Sequence, residues 1–177
     1  MKAVRKGFVV WFTGLPGSGK TAIARELEKR LAAKGIPTEI LDGDEVRKWL
    51  SPEAGFSRED RERHIKRVAH VSKLLAKHGV AVLVSLVSPY RSVRDYARKL
   101  IGDFVEVYVK CSLETCIKRD PKGLYKRALA GEIKDMTGIQ DPYEEPLSPE
   151  VVVDTERQSL KECVDTVYRK LVELGYL

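Results

Sequence analysis

The sequence predicts an α/β fold of three layers, α/β/α, with a parallel sheet between helices. Two observations carry this. Apolar runs of four to six residues recur along the 177-residue chain, and segments with helical spacing of apolar positions separate them. Strands that alternate with helices pair in parallel and are covered on both faces. A third observation anchors the pattern: a glycine-rich segment stands between the first apolar run and the first helical stretch.

The elements follow in order. Phe8–Thr13 is apolar on both faces, as a fully buried strand must be. Lys20–Lys34 reads as a helix with Ile23, Leu27 and Leu31 on one side. Gly35-Ile36-Pro37 stops it, because glycine suits the residue after the last turn and proline cannot continue the helix. Glu39–Asp42 is a second short strand. Ser57 opens a further helix as its N-cap, with Asp60 three residues on, and that helix runs to about Lys77 before Gly79. Ala81–Ser85 is a third strand, and Pro89 precedes a helix over about Ser92–Leu100. Phe104–Val109 is a fourth strand, after which Ser112 caps a short helix with Glu114 in its first turn. Val151–Asp154 is a fifth strand, and Ser159 with Glu162 forms a capping box that opens the last helix, to about Leu174. Arg119–Pro149 fits the alternation poorly. An insertion of that length, rich in charge, Gly and Pro, is typically a lid or binding loop. Residues 1–177 therefore read as one domain with a lid at about 119–149.

Composition narrows the class. Hydrophobic residues make up 43% and charged residues 33%, which suits a globular chain rather than a disordered one. The net charge of +6 points to an anionic partner. No apolar run approaches the length of a membrane span, and no charged-then-apolar leader opens the chain. Cys111, Cys116 and Cys163 are odd in number and lack metal spacing, so a cytoplasmic location with reduced thiols is expected. There is no asparagine, and glutamine occurs only at Gln140 and Gln158, a depletion of thermolabile amides that points to heat adaptation.

Gly14-Leu15-Pro16-Gly17-Ser18-Gly19-Lys20-Thr21 matches the pattern G-x-x-x-x-G-K-[ST], with a strand before it and a helix after it. Its glycines let successive N–H groups point inward at phosphate oxygens, and the helix N-terminus adds its positive end. Lys20 neutralises β- and γ-phosphate charge, and the Thr21 hydroxyl is a magnesium ligand. A GTPase would ordinarily read guanine through Asn-Lys-x-Asp, and this chain has no asparagine. An acidic pair instead follows the second strand, as Asp42-Gly43-Asp44. Carboxylates at the C-terminal ends of parallel strands face the ligand crevice, where they hold magnesium or take a proton from an attacking hydroxyl. Asp44 has an alternative role as N-cap of a following helix; Asp42 is not explained by capping.

At this point the chain resembles the adenylylsulfate kinase family over nearly its whole length. The resemblance rests on Gly14–Thr21, Leu41–Arg47, Gly55-Phe56-Ser57, Asp60-Arg61, Ser88-Pro89-Tyr90-Arg91, Arg119–Lys126, and Gly131–Lys134 running into Thr137-Gly138-Ile139. The resemblance implies the P-loop nucleoside triphosphate hydrolase fold of the nucleotide-kinase type. It implies transfer of the γ-phosphoryl group of ATP to the 3′-hydroxyl of adenosine 5′-phosphosulfate, with magnesium. It also suggests a dimer; the short apolar runs and the lack of a basic–aromatic platform speak against a membrane or nucleic-acid partner. On this likeness Asp42 orients the hydroxyl and Asp44 supports it or the magnesium. Arg47, Arg61 and Arg91 offer planar forks for the phosphosulfate. Phe56 stacks on the acceptor's adenine, with Met136 on its other side where phenylalanine is usual. His64 stands where asparagine is usual, and Val87 and Ser88 also fall in the acceptor site. Lys122 reaches phosphate oxygens from the lid, and Arg119 covers the ATP adenine. A phosphoenzyme intermediate has been ascribed to the family's serine at the position of Ser88. No general base neighbours Ser88 in sequence, and a serine before proline more simply starts a turn and hydrogen-bonds the acceptor.

Two other readings stay open on the sequence. One is a P-loop kinase for another small hydroxyl acceptor, such as a nucleoside monophosphate or a sugar acid. The other is a nucleic-acid-binding protein that uses ATP as a switch, supported only by net charge and opposed by the lack of a basic tail or a basic–aromatic platform. Residues 110–134 carry seven bases and three acids, so part of the basic excess sits in the lid rather than in a diffuse coat.

Overall fold

The computed structural model describes residues 5–177. Five strands form one parallel sheet: β1 (Phe8–Thr13), β2 (Thr38–Asp42), β3 (Ala81–Ser85), β4 (Phe104–Lys110) and β5 (Val151–Asp154), in the order β2-β3-β1-β4-β5. The helices are α1 (Lys20–Ala33), α2 (Gly43–Leu50), α3 (Arg58–Lys77), α4 (Arg91–Ile101), α5 (Leu113–Arg119), α6 (Leu124–Leu129) and α7 (Leu160–Glu173).

Side-chain alternation along β1 builds the two cores. Phe8, Val10 and Phe12 face one side and pack with Ile23, Leu27 and Leu31 of α1 and Val164, Val167 and Leu171 of α7. Val9 and Trp11 face the other side and pack with Ile65 and Val68 of α3 and Val93 and Ala97 of α4. A third, smaller core holds Cys111 and Cys116 against Tyr125, Ala128 and Met136. All three cysteines are free and buried. Among the described residues, no helix is long and apolar enough to cross a membrane.

Caps set the helix starts as expected at Ser57, Ser112 and Ser159, the last with its full capping box. Two helices depart from the sequence expectation. α2 begins directly at the end of β2, and its N-cap is Asp42, whose side chain accepts from the Asp44 N–H at 3.3 Å. The capping role weighed for Asp44 therefore falls on Asp42, because the chain turns into the helix one residue after the strand ends. α6 lies inside the segment read as a lid. Asp120 starts it by accepting from the N–H groups of Tyr125 and Lys126 at 3.0 and 2.9 Å.

A buried arginine ties the sheet to the segment between α6 and β5. Arg94 is 1% exposed, and its Nε lies 3.2 Å from Glu106 Oε2 on β4. Its two terminal nitrogens donate to Ser88 O and Glu144 O, each at 2.5 Å. Removing the cation leaves Glu106, which burial already pushes above the usual carboxylate range, with only the longer contact to Arg98 at 3.4 Å. Arg94→Leu is therefore expected to cost about 3 kcal/mol, the order seen when one partner of a buried pair is removed. The double variant Arg94→Leu/Glu106→Leu should recover the carboxylate's share of that, with the Ser88 and Glu144 carbonyls still without their donor. Urea unfolding of the two variants checks it; equal losses would mean that Glu106 is not the group left unpaired.

Candidate active site

The glycine-rich loop bends as a phosphate cradle does. Gly17 and Gly19 sit at φ of 79° and 108°, backbone that side chains with a Cβ rarely adopt, and Gly19 leads straight into α1. Lys20 is buried and folds back over the loop, donating to Gly14 O at 3.0 Å and Leu15 O at 2.9 Å. Burial pulls its ammonium down to about 8, partly offset by Cys116 and Asp42. Tyr125 of α6 braces the loop by donating to Pro16 O at 2.7 Å.

Oxygen ligands gather beside the loop. Thr21 Oγ1 donates to Asp42 Oδ2 at 2.7 Å and lies 3.1 Å from Ser85 Oγ. These hard donors fit magnesium, which typically takes one or two protein oxygens plus phosphates and water. Ser85 is absent from the motif reading; its only sequence signal is its place at the C-terminal end of β3.

Two cavities adjoin there. The first, about 940 Å³, is lined by Gly17, Gly19, Lys20, Thr21, Asp42 and Lys122 among others. The second, about 440 Å³, is lined by Arg47, Phe56, Arg61, His64, Ser88 and Met136 among others. Pro16, Gly43, Asp44, Leu86, Val87 and Leu124 border both. Asp44 thus stands at the junction, where Lys122 pairs with it, and Asp42 borders the first cavity alone.

Arg47 and Arg61 of the second cavity are already engaged. Arg47 lies over the Phe56 ring at 4.5 Å and donates to Ala54 O and Gly55 O. Phe56 is 58% exposed, so it is not the core anchor that an apolar loop residue often is. Arg61 does not pair with Asp60 or Glu62. It reaches across to Asp135 O, to Thr137 Oγ1 at 3.1 Å and to Asp141 Oδ2 at 3.2 Å, pinning the loop that carries Met136. Arg58 and Arg63 stay on the solvated face, paired with Glu62 and Asp60.

Ser88 is buried in left-handed backbone at φ 41°. Its Oγ accepts from Trp11 Nε1 at 2.9 Å and donates to Leu86 O at 3.2 Å, so no general base is hydrogen-bonded to it. Five expected site residues lie outside both cavity linings: Gly14, Leu15 and Ser18 of the glycine-rich loop, and Arg91 and Arg119. Arg91 donates from Nε to Glu145 O at 2.7 Å, on the far side of the Pro89 turn. Arg119 bridges the phosphate loop to the strand-end loop, donating to Thr155 Oγ1 at 3.0 Å and Thr155 O at 2.9 Å.

Residues 6–154 match the family model described as adenylylsulphate kinase. The chain belongs to that family. The adenylyl-sulfate kinase of Picosynechococcus sp. is 54% identical over 172 residues, which is 97% of each chain. The APS kinase CysC of Mycobacterium tuberculosis, solved in complex with AMPPNP and APS, matches with a TM-score of 0.92 at 42% identity, over 95% of this chain and 99% of that one. A hexameric APS kinase from Thiobacillus denitrificans matches with a TM-score of 0.75 at 33% identity, over 98% of this chain and 30% of that one.

His64 gives this family member a pH signature. It is 4% exposed, and its imidazole is drawn down to about 4, first by burial, then by the Arg47 and Arg67 guanidiniums, with Glu53 opposing. Between its unperturbed value of 6.5 and about 4, the unfolded chain takes up a proton that the folded chain refuses. Stability therefore falls as pH drops through that window, by roughly 3 kcal/mol at most from this group. His64→Gln should lose correspondingly less between pH 7 and pH 4, as followed by denaturant midpoints. Identical pH dependence in both proteins would show that His64 protonates while folded.

Proposed function

We propose that the chain transfers the γ-phosphoryl group of ATP to the 3′-hydroxyl of adenosine 5′-phosphosulfate, giving ADP and 3′-phosphoadenosine 5′-phosphosulfate. The supporting observation is the pair of adjoining cavities with a carboxylate at their junction. One carries the phosphate loop, and the other is an apolar slot flanked by arginines. Phosphoryl transfer requires donor and acceptor in line across such a junction, and positioning with charge neutralisation supplies most of the catalysis.

ATP phosphates lie in the loop, with Lys20 exchanging its carbonyl partners for β- and γ-oxygens. Thr21, Asp42 and Ser85 are the groups that would hold magnesium, which when bound neutralises phosphate charge. Asp44, rather than Asp42, orients the 3′-hydroxyl, because Asp44 borders both cavities and Asp42 is turned to Thr21. Lys122 leaves Asp44 for the transferring phosphate as residues 119–149 act as a lid. Arg47 and Arg61 face the phosphosulfate, Phe56 and Met136 flank the adenine, and Val87, Ser88 and His64 supply further contacts. Arg119 covers the ATP adenine beside Thr155. A homodimer and a cytoplasmic location belong to the same reading.

Incubation with ATP, magnesium and adenosine 5′-phosphosulfate should yield the 3′-phosphorylated product by ion-exchange chromatography; none would overturn the assignment. Asp44→Asn should lower kcat by about 10²- to 10³-fold, in the range of a lost proton-handling group, while ATP affinity stays within about threefold. Equal losses in kcat and ATP affinity would remove Asp44 from the hydroxyl and return that role to Asp42.

A further inference from the structure

Ser51 ends α2 as its C-cap residue and is 1% exposed. Its Oγ lies 2.8 Å from His64 Nδ1 and 3.1 Å from Arg67 Nη1. Arginine has only donors to offer, so Ser51 Oγ accepts from Arg67. Among the described residues the hydroxyl hydrogen finds an acceptor only in His64 Nδ1, and an Nδ1–H would leave it without one. Arg67 is itself fixed, with the same nitrogen 3.2 Å from Leu50 O and 2.6 Å from Glu53 Oε1. A neutral imidazole carries one N–H, and with Nδ1 accepting, that N–H is on Nε2. His64 lines the second cavity and is 4% exposed, yet its Nε2 meets no partner among the described residues. Buried donors are nearly always satisfied, and this one has no protein partner among the described residues.

We propose that Arg67 and Ser51 are positioning residues that lock His64 as the Nε2–H tautomer, so that the cavity offers one neutral donor to a lone pair of the acceptor nucleotide. The ligand half of this rests on reading that cavity as the site of adenosine 5′-phosphosulfate. Burial and the flanking Arg47 and Arg67 charges oppose a second proton on the ring, with Glu53 the one opposing charge. The atom that meets His64 is therefore an acceptor, a ring nitrogen or a phosphosulfate oxygen. A nucleotide that presents an N–H at that point sets donor against donor and is disfavoured.

The test is long-range ¹H–¹⁵N correlation on the full chain without ligand at neutral pH, together with steady-state kinetics. The expected spectrum has His64 protonated at Nε2 and bare at Nδ1. Ser51→Ala should give a tautomer mixture and raise KM for adenosine 5′-phosphosulfate about five- to tenfold, with KM for ATP and kcat moved less than about twofold. His64→Leu should raise the same KM, and His64→Gln, which sets an amide nitrogen near the place of Nε2, should recover most of that loss. An Nδ1–H tautomer in the unsubstituted protein, or a Ser51→Ala protein with tautomer and KM unchanged, overturns the lock. A tautomer that shifts in Ser51→Ala while the acceptor KM stays put overturns the ligand half alone, whereas the reading of the cavity falls only if the unsubstituted protein forms no 3′-phosphorylated product.

Discussion

Parallel register among β2, β3 and β1 is the constraint on which the site depends. Asp42 pairs with Ser85, and Ser85 with Phe12, so the three strands end at one level. α1 packs back beneath that edge and brings Thr21 within 2.7 Å of Asp42 and 3.1 Å of Ser85. A slip of one residue in β2 would turn Asp42 to the other face of the sheet. The hydrophobic pattern opposes the slip: Ile40 packs on the core of α1 and α7, and Leu41 on that of α3 and α4. Chemistry at the strand ends is thus secured by apolar side chains one and two residues upstream.

The second cavity depends on a different device. After β3 the chain runs through Leu86 and Val87 into Ser88, whose left-handed backbone is uncommon for a residue with a Cβ. Ser88 stays there because Arg94 donates to its carbonyl, Thr13 donates to the preceding carbonyl of Val87 at 2.7 Å, and Trp11 donates to its hydroxyl. Arg94 also holds Glu144 O, and Tyr143 meets Thr13 at 2.9 Å, so the segment between α6 and β5 is stitched to the same turn. Ser88 is consumed by this local network, which favours a positioning part over a nucleophilic one.

Much of this was legible in sequence, and the rest was hidden for identifiable reasons. Strands buried on both faces, such as β1 and β3, have unmistakable composition, and serine caps announce α3, α5 and α7. α2 was obscured because its cap, Asp42, also ends a strand and carries an acidic motif, so chemistry masked capping. α6 has six residues, too few for a periodic signal. Ser85, Ser51 and Arg67 belong to no motif: the first is an ordinary strand residue, the second a helix C-cap, and the third one charge among many on α3. Arg61 was legible as important, but its ion pair with Asp141 spans distant segments that no local pattern links.

Paired charges give the site its free-state economy. Lys20 rests on loop carbonyls, Lys122 on Asp44, Arg61 on Asp141 and Arg47 on Gly55 O. Anionic substrates must displace those partners, so each new charge-assisted hydrogen bond is worth only the difference between two interactions. His64 differs. Its Nε2 and the Nε of Arg94 are the buried side-chain donors without a hydrogen bond among the described residues, and Arg94 Nε at least lies against Glu106. A ligand atom that meets His64 gains a bond without breaking one. A charged histidine there would add to Arg47, Arg61 and Arg67 and raise the cost of the empty cavity, whereas a neutral donor adds selectivity without that repulsion. The cations draw the anion in, and the uncharged ring is the contact able to sort what the anion is attached to.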